Sequence, residues 1–183
     1  MSPTQAREDD DWTAAPTGAD ERRFRELLTA DIDITIARDG TWYHEGGAIR
    51  RPALVRLFAG ILRREGEDYV LVTPVEKRRI TVEDAPFLAV AVTQEGGDLV
   101  FRTNVEDTVT AGPEHPIRVA FDGATGEPSP YVLVREGLEA LIARPVYYEL
   151  VAMGDLVPRD GRQALVVRSG GADFILGYAD DDR

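Results

Sequence analysis

Phe87-Leu88-Ala89-Val90-Ala91-Val92-Thr93-Gln94-Glu95-Gly96-Gly97-Asp98-Leu99-Val100-Phe101-Arg102-Thr103 holds two β-rich runs, 87–94 and 99–103, on either side of a glycine-containing connection. Glu95-Gly96-Gly97-Asp98 is short enough to close an antiparallel hairpin, and no long helical pattern intervenes to carry a parallel crossover. Antiparallel pairing at this point makes the chain α+β, because helices must then lie beside a sheet rather than alternate with its strands.

Toward the N-terminus, Val75 to Val82 reads as a strand that carries the only lysine, Lys77. Tyr69 to Thr73 is a second strand, and Pro74 interrupts between them. Pro52 is suited to a first helical position, and Leu54, Leu57, Phe58, Ile61 and Leu62 form an apolar stripe that Gly66 ends at a C′ position. Asp39-Gly40 predicts a type I′ hairpin between Asp31-Ile32-Asp33-Ile34-Thr35-Ile36, where isoleucine alternates with polar residues, and Thr41-Trp42-Tyr43-His44. Phe24, Leu27 and Leu28 at i, i+3, i+4 predict a short helix over 20–30, with Asp20 and Glu21 where the helix dipole favours acids. Residues 1–19 are acidic, with a single aromatic, Trp12, and read as a disordered tail.

Toward the C-terminus, 109–116 reads as a turn and Ile117 to Phe121 as a strand. Ser129-Pro130 predicts a helix start, with Val134, Leu138, Leu141 and Ile142 as its stripe and Pro145 as its stop. Val146 to Val151 is then a strand, and Ala164 to Val167 pairs with Phe174 to Leu176 around Gly170-Gly171. An offset of 80 superposes the two expected stripes, Leu54 on Val134, Phe58 on Leu138, Ile61 on Leu141 and Leu62 on Ile142. The expected architecture is two small antiparallel-sheet units, 20–95 and 96–183, each with one packed helix and related by a strand-helix-strand repeat. A cleft between two such units would be the default place for a ligand.

Composition removes several functions. The 183 residues are 43% hydrophobic and 30% charged, ordinary for a globular chain. No stretch approaches the roughly 18 consecutive apolar residues of a membrane span, and the acidic start is unlike a signal peptide, so a cytoplasmic protein is expected. With no cysteine there is no disulfide, thiolate metal site or thiol nucleophile. A net charge of -12 repels phosphate backbones and anionic lipid, so neither nucleic acid nor membrane is an expected partner. No glycine-rich phosphate loop is present, and no cofactor is indicated. The three serines, Ser2, Ser129 and Ser169, form no nucleophile elbow.

Candidate site residues come from charge. From Arg50 to Arg79 eight basic residues stand against four acids in an otherwise acidic chain. Arginine holds carboxylate or phosphate through paired hydrogen bonds, so Arg51, Lys77, Arg79 and His115 are the expected contacts for a small anionic ligand. His44 with Glu45, and Glu114 with His115, offer metal-ligand chemistry, but neighbours on a strand point to opposite faces and no metal site is expected. The same pairs, or Lys77 between cationic neighbours, are the groups an enzyme would use for proton transfer.

Asp39-Gly40-Thr41-Trp42, Arg51-Pro52-Ala53-Leu54-Val55-Arg56-Leu57-Phe58, Leu71-Val72-Thr73-Pro74-Val75-Glu76-Lys77 and Val82-Glu83-Asp84-Ala85-Pro86-Phe87 together resemble a bacterial family, domain of unknown function 1285. The resemblance continues through Thr103-Asn104, Thr110-Ala111-Gly112-Pro113-Glu114-His115-Pro116 and Ala143-Arg144-Pro145-Val146-Tyr147-Tyr148-Glu149-Leu150. It implies a two-part α+β fold with a repeated motif and an association with signal transduction, and it assigns no catalytic residue. Three readings follow: a regulatory module that binds a small ligand or a protein partner, an enzyme using Lys77 or a His/Glu pair, and an interaction protein pairing through sheet edges. The charged recognition groups, without a reactive set, favour the first.

Overall fold

The computed structural model describes residues 15–29 and 33–179, without the side chains of 27–29. Residues 1–14 of the expected tail, the strand positions Asp31 and Ile32, the stripe positions Leu27 and Leu28, and 180–183 lie outside that description. The chain divides into two compact units, Met1–Asp84 and Ala85–Arg183. The division falls ahead of Phe87, whereas the sequence placed it after Glu95, which here sits at the end of a hairpin strand.

The first unit runs α1 (Gly18–Thr29), β1 (Ile34–Ile36), β2 (Trp42–His44), β3 (Gly47–Ala48), α2 (Pro52–Ile61), β4 (Leu62–Glu65), β5 (Asp68–Val72) and β6 (Lys77–Val82). Its six strands form one sheet in the order β3-β2-β1-β6-β5-β4. The first and last strands pair in parallel, Thr35 with Thr81 and Ile36 with Val82, and the other neighbours are antiparallel. The helix α1 opens with a capping box: the Asp20 N–H donates to the Thr17 hydroxyl (3.3 Å) and the Asp20 carboxylate accepts from the Thr17 N–H (2.7 Å). In α2 the apolar stripe buries Pro52, Ala53, Leu54, Val55, Phe58 and Ala59. Phe58 meets Trp42 of β2 at 6.0 Å between ring centroids and Phe24 of α1 at 5.0 Å, so helices and sheet share one aromatic cluster.

The helix expected up to Gly66 stops at Ile61, because Gly66, at φ 60°, belongs to the two-residue turn between β4 and β5. At the β1–β2 turn only Gly40 takes a positive φ (86°), where a type I′ turn needs two; a longer loop is closed by the Gly40 N–H on the Ala37 carbonyl.

The second unit contains β7 (Phe87–Glu95), β8 (Asp98–Thr103), β9 (Thr108–Thr110), β10 (Ile117–Phe121), β11 (Pro128–Arg135), β12 (Leu138–Ile142), α3 (Arg144–Met153), β13 (Asp155–Arg159), β14 (Arg162–Ser169) and β15 (Ala172–Tyr178). The order β10-β11-β12-β7-β8-β9 repeats the plan of the first sheet, again with its first and last strands parallel, Ala140 beside Phe87 and Ile142 beside Ala89. A separate antiparallel sheet, β13-β14-β15, follows α3. The protein is therefore α+β, with two similar mixed six-stranded sheets and a three-stranded one, rather than two purely antiparallel units.

Two expected elements exchange identity. The segment from Ser129-Pro130 to Ile142 is the hairpin β11–β12, and the expected strand 146–151 lies inside α3. Glu136 and Gly137 both take positive φ (39° and 78°), which makes the two-residue turn between Arg135 and Leu138 and divides the supposed helical stripe. Pro145 sits in the first turn of α3, where a missing N–H costs nothing, and Val146 and Leu150 form its buried face. The offset of 80 therefore pairs α2 with strands and fails as a repeat. The repetition lies in the strand order of the two sheets.

Candidate functional site

The hairpin β2–β3 turns at Glu45-Gly46, and the Ile49 N–H donates to the Trp42 carbonyl (2.8 Å), so the chain runs back past His44 directly into α2. This brings Arg50 and Arg51 beside the end of β2. A pocket of 290 Å³ lies there, lined by Arg23, His44, the strip Gly47–Ile49, Arg50, Arg51 and Leu54.

Arg51 is the N-cap residue of α2 and gives no side-chain cap, and the first turn of the helix itself holds no acid. The Arg51 guanidinium instead grips Asp20 through both carboxylate oxygens, Nε on Oδ1 and Nη2 on Oδ2 at 3.2 Å. Asp20 is 3% exposed. The Arg51 bond, followed by those from Thr17, holds its carboxyl at about 2, against the opposing effect of burial. Asp20 stays ionised and orients the arginine. Arg50 is exposed and has no ion-pair partner among the described residues, and Arg23 makes one exposed contact of 3.4 Å with Glu26.

His44 contributes the unusual feature. Among the described residues its Nε2 is buried with no hydrogen-bond partner, and so is Nε1 of Trp42, two residues earlier on the same face of β2. A buried polar atom without a partner costs about 1–3 kcal/mol, which a folded protein tolerates where the atom has a use.

Of the four residues expected from the sequence, only Arg51 enters this pocket. Lys77 and Arg79 stand on the exposed face of β6 and answer acids of β4 and β5, Lys77 Nζ to Glu65 at 2.5 Å and Arg79 Nη2 to Asp68 at 2.8 Å. His115 lies in the second unit, where its Nδ1 donates to the Leu133 carbonyl at 3.0 Å. Other members of the basic segment close local structure: Arg63 donates to the Gly60 and Leu62 carbonyls, and Arg64 lies over the Tyr69 ring at 5.4 Å. Among the described residues no group of three or more His, Asp or Glu side chains is placed to hold a metal ion. The sequence named His44 for metal or proton chemistry and passed over Arg23; the i, i+2 relation of Trp42 and His44 was legible, but their missing partners were not.

Family models for the N-terminal and C-terminal domains of DUF1285 match residues 25–85 and 86–176, which between them take in both units. The chain belongs to the DUF1285 family. A solved DUF1285 protein from Silicibacter pomeroyi DSS-3 is 50% identical, with a TM-score of 0.75 over 82% of each chain. A second, from Shewanella baltica OS155, is 28% identical with a TM-score of 0.54, over 66% of this chain and 91% of that one. No curated protein matches. The two-domain description of DUF1285 agrees with the division at Asp84 and Ala85 to within one residue. Among the described residues of this DUF1285 protein no helix is long and apolar enough to cross a membrane.

Proposed function

We propose that this DUF1285 protein is a small-ligand-binding module whose ligand is a compact anion, a carboxylate or phosphate, seated in the first-unit pocket between His44, Arg50 and Arg51. The observation that carries this reading is the Nε2 of His44, buried and without a partner among the described residues, beside a pocket lined by three arginines. Protonated at Nε2, His44 would offer a donor to the anion; the arginines supply charge-assisted donors, and the N-terminal end of α2 adds a positive dipole. Asp20 acts behind Arg51 as a positioning residue. The setting favours binding over turnover, because among the described residues no nucleophile and base stand together at the pocket.

Calorimetric titration with inorganic phosphate, and separately with citrate, tests it. One of these anions is expected to bind saturably, with affinity falling by about tenfold or more in His44→Ala and Arg50→Ala. Lys77→Ala and Arg79→Ala are expected to bind as the wild type does. Absence of binding by both anions, or equal affinity in the wild type and a folded His44→Ala/Arg50→Ala double variant, overturns the reading.

A further inference from the structure

The second unit carries an apolar groove of 580 Å³, a volume within the range of small-molecule sites. Its lining draws on five elements: Phe121 of β10, Tyr147 of α3, Leu156 of β13, Leu165 of β14, and Gly177 and Tyr178 of β15. Leu156 pairs with Leu165 and Leu165 with Gly177, so these three form one row across the three-stranded sheet. The row ends in a position without a side chain. Gly177 does not take a positive φ, and a Cβ there would meet only the Phe121 ring tip, at 3.8 Å. The backbone therefore does not require glycine, and what its absent side chain does is keep the groove floor open. Phe121 and Leu156 remain 53% and 61% exposed at the sides, so two large apolar side chains face solvent there.

The polar groups around the groove narrow its ligand. The Tyr147 hydroxyl donates to the Leu176 carbonyl (3.1 Å), and burial pushes its pKa up, so it stays a neutral, fixed wall. Among the described residues no acidic side chain lines the groove, although residues 85–183 hold 16 acids against 8 basic residues. A cationic group stands beside it: the Arg162 guanidinium lies 4.1 Å over the Tyr178 ring centroid. We infer that the groove binds a small amphiphilic carboxylate, with its apolar body on the floor at Gly177 and its head toward Arg162. This site is independent of the anion pocket of the first unit.

Anilinonaphthalene sulfonate, an apolar body with an anionic head, is the probe for the full-length chain. Its fluorescence is expected to rise saturably with one dye per chain and to be reversed by decanoate, but not by decanol at equal concentration or by inorganic phosphate. Gly177→Leu fills the floor and is expected to weaken dye binding by about tenfold or more. Leu156→Glu changes a side chain that is 61% exposed and sets a repelling charge at the side; it is expected to weaken binding to a similar extent. No saturable signal, dye binding unchanged in both variants, displacement by phosphate, or decanol as effective as decanoate would each overturn the assignment.

Discussion

The two six-stranded sheets have the same strand order and the same parallel seam, yet they are covered by different means. In the first, the connection from β3 to β4 contains α2, which lays six buried residues on the sheet. In the second, the equivalent connection from β9 to β10 is only the loop from Ala111 to Pro116, and cover comes from α3 and the β13–β15 sheet appended after the last strand. An internal crossover helix is held by both its ends. An appended layer must be fastened, and here Ser169 and Gly170 do it: the Ser169 hydroxyl accepts the Leu99 N–H and donates to the Ala111 carbonyl, both at 2.7 Å, while Asp98 accepts the Gly170 N–H at 2.7 Å. The same plan thus yields a cationic pocket where the crossover helix begins and an apolar groove at the margin of the appended layer.

The most damaging test of that contrast is Gly170→Ala. The residue has φ 57°, and a Cβ would lie 2.8 Å from the Ala111 carbonyl oxygen and from Gly112 Cα, both backbone atoms. Strain and clash together are expected to cost about 3 kcal/mol or more. Hydrogen exchange should show protection lost in β14, β15 and α3 while β1 to β6 keep theirs; an equal loss in β1 to β6 would refute separate support of the two sheets. Ser169→Ala removes the partner of one buried N–H and one buried carbonyl, for about 2 kcal/mol in the same region. If denaturant unfolding shows no loss, the hydroxyl is not a fastening.

In the first unit the corresponding weak point is α1, tied to the start of α2 by Asp20 and Arg51. Asp20→Asn is expected to cost about 1.5 kcal/mol and to loosen residues 18–29. The Asp20 carboxyl titrates lower when folded, at about 2, than its ordinary 3.8, so its contribution is complete above about pH 4 and is lost as pH falls toward 2. Melting temperatures of wild type and Asp20→Asn should therefore differ near neutral pH and converge toward pH 2. A difference that persists at the acid end would place the effect elsewhere than in that ionisation.

What could be read beforehand follows the range of the interactions. The β7–β8 hairpin, the Pro52 start of α2 and the alternation Ile34-Thr35-Ile36 were legible because neighbours in sequence decide them. The parallel seams β1–β6 and β7–β12 join strands dozens of residues apart, and no local pattern announces such a pair. Between 129 and 151 local signals competed. Val134, Leu138, Leu141 and Ile142 satisfy a helical period, but Glu136-Gly137 is a hairpin turn pair, and the turn prevailed. Once that segment became β11 and β12, Pro145 was left to begin a helix rather than end one. For the pocket, Arg50 and Arg51 were legible as part of a basic segment, whereas His44 became their companion only through the β2–β3 turn.

The smallest expected effect bears most on how the charges should be read. Lys77 is the only lysine and lies among arginines, which drew it into the predicted site, but its ammonium group faces Glu65 with both side chains about half exposed. Exposed pairs of this kind contribute about 0–1 kcal/mol, because water screens the attraction and two long side chains lose freedom. Lys77→Ala should shift stability by no more than about 0.5 kcal/mol, as measured by urea denaturation, and leave phosphate and citrate titrations as in the wild type. Arg51→Ala, on the same side of the charge count, should both destabilise α1 and weaken the anion. The two residues would then differ through burial and geometry, since each carries one positive charge. Loss of anion binding in Lys77→Ala would reverse that conclusion and return the site to the exposed face of β6.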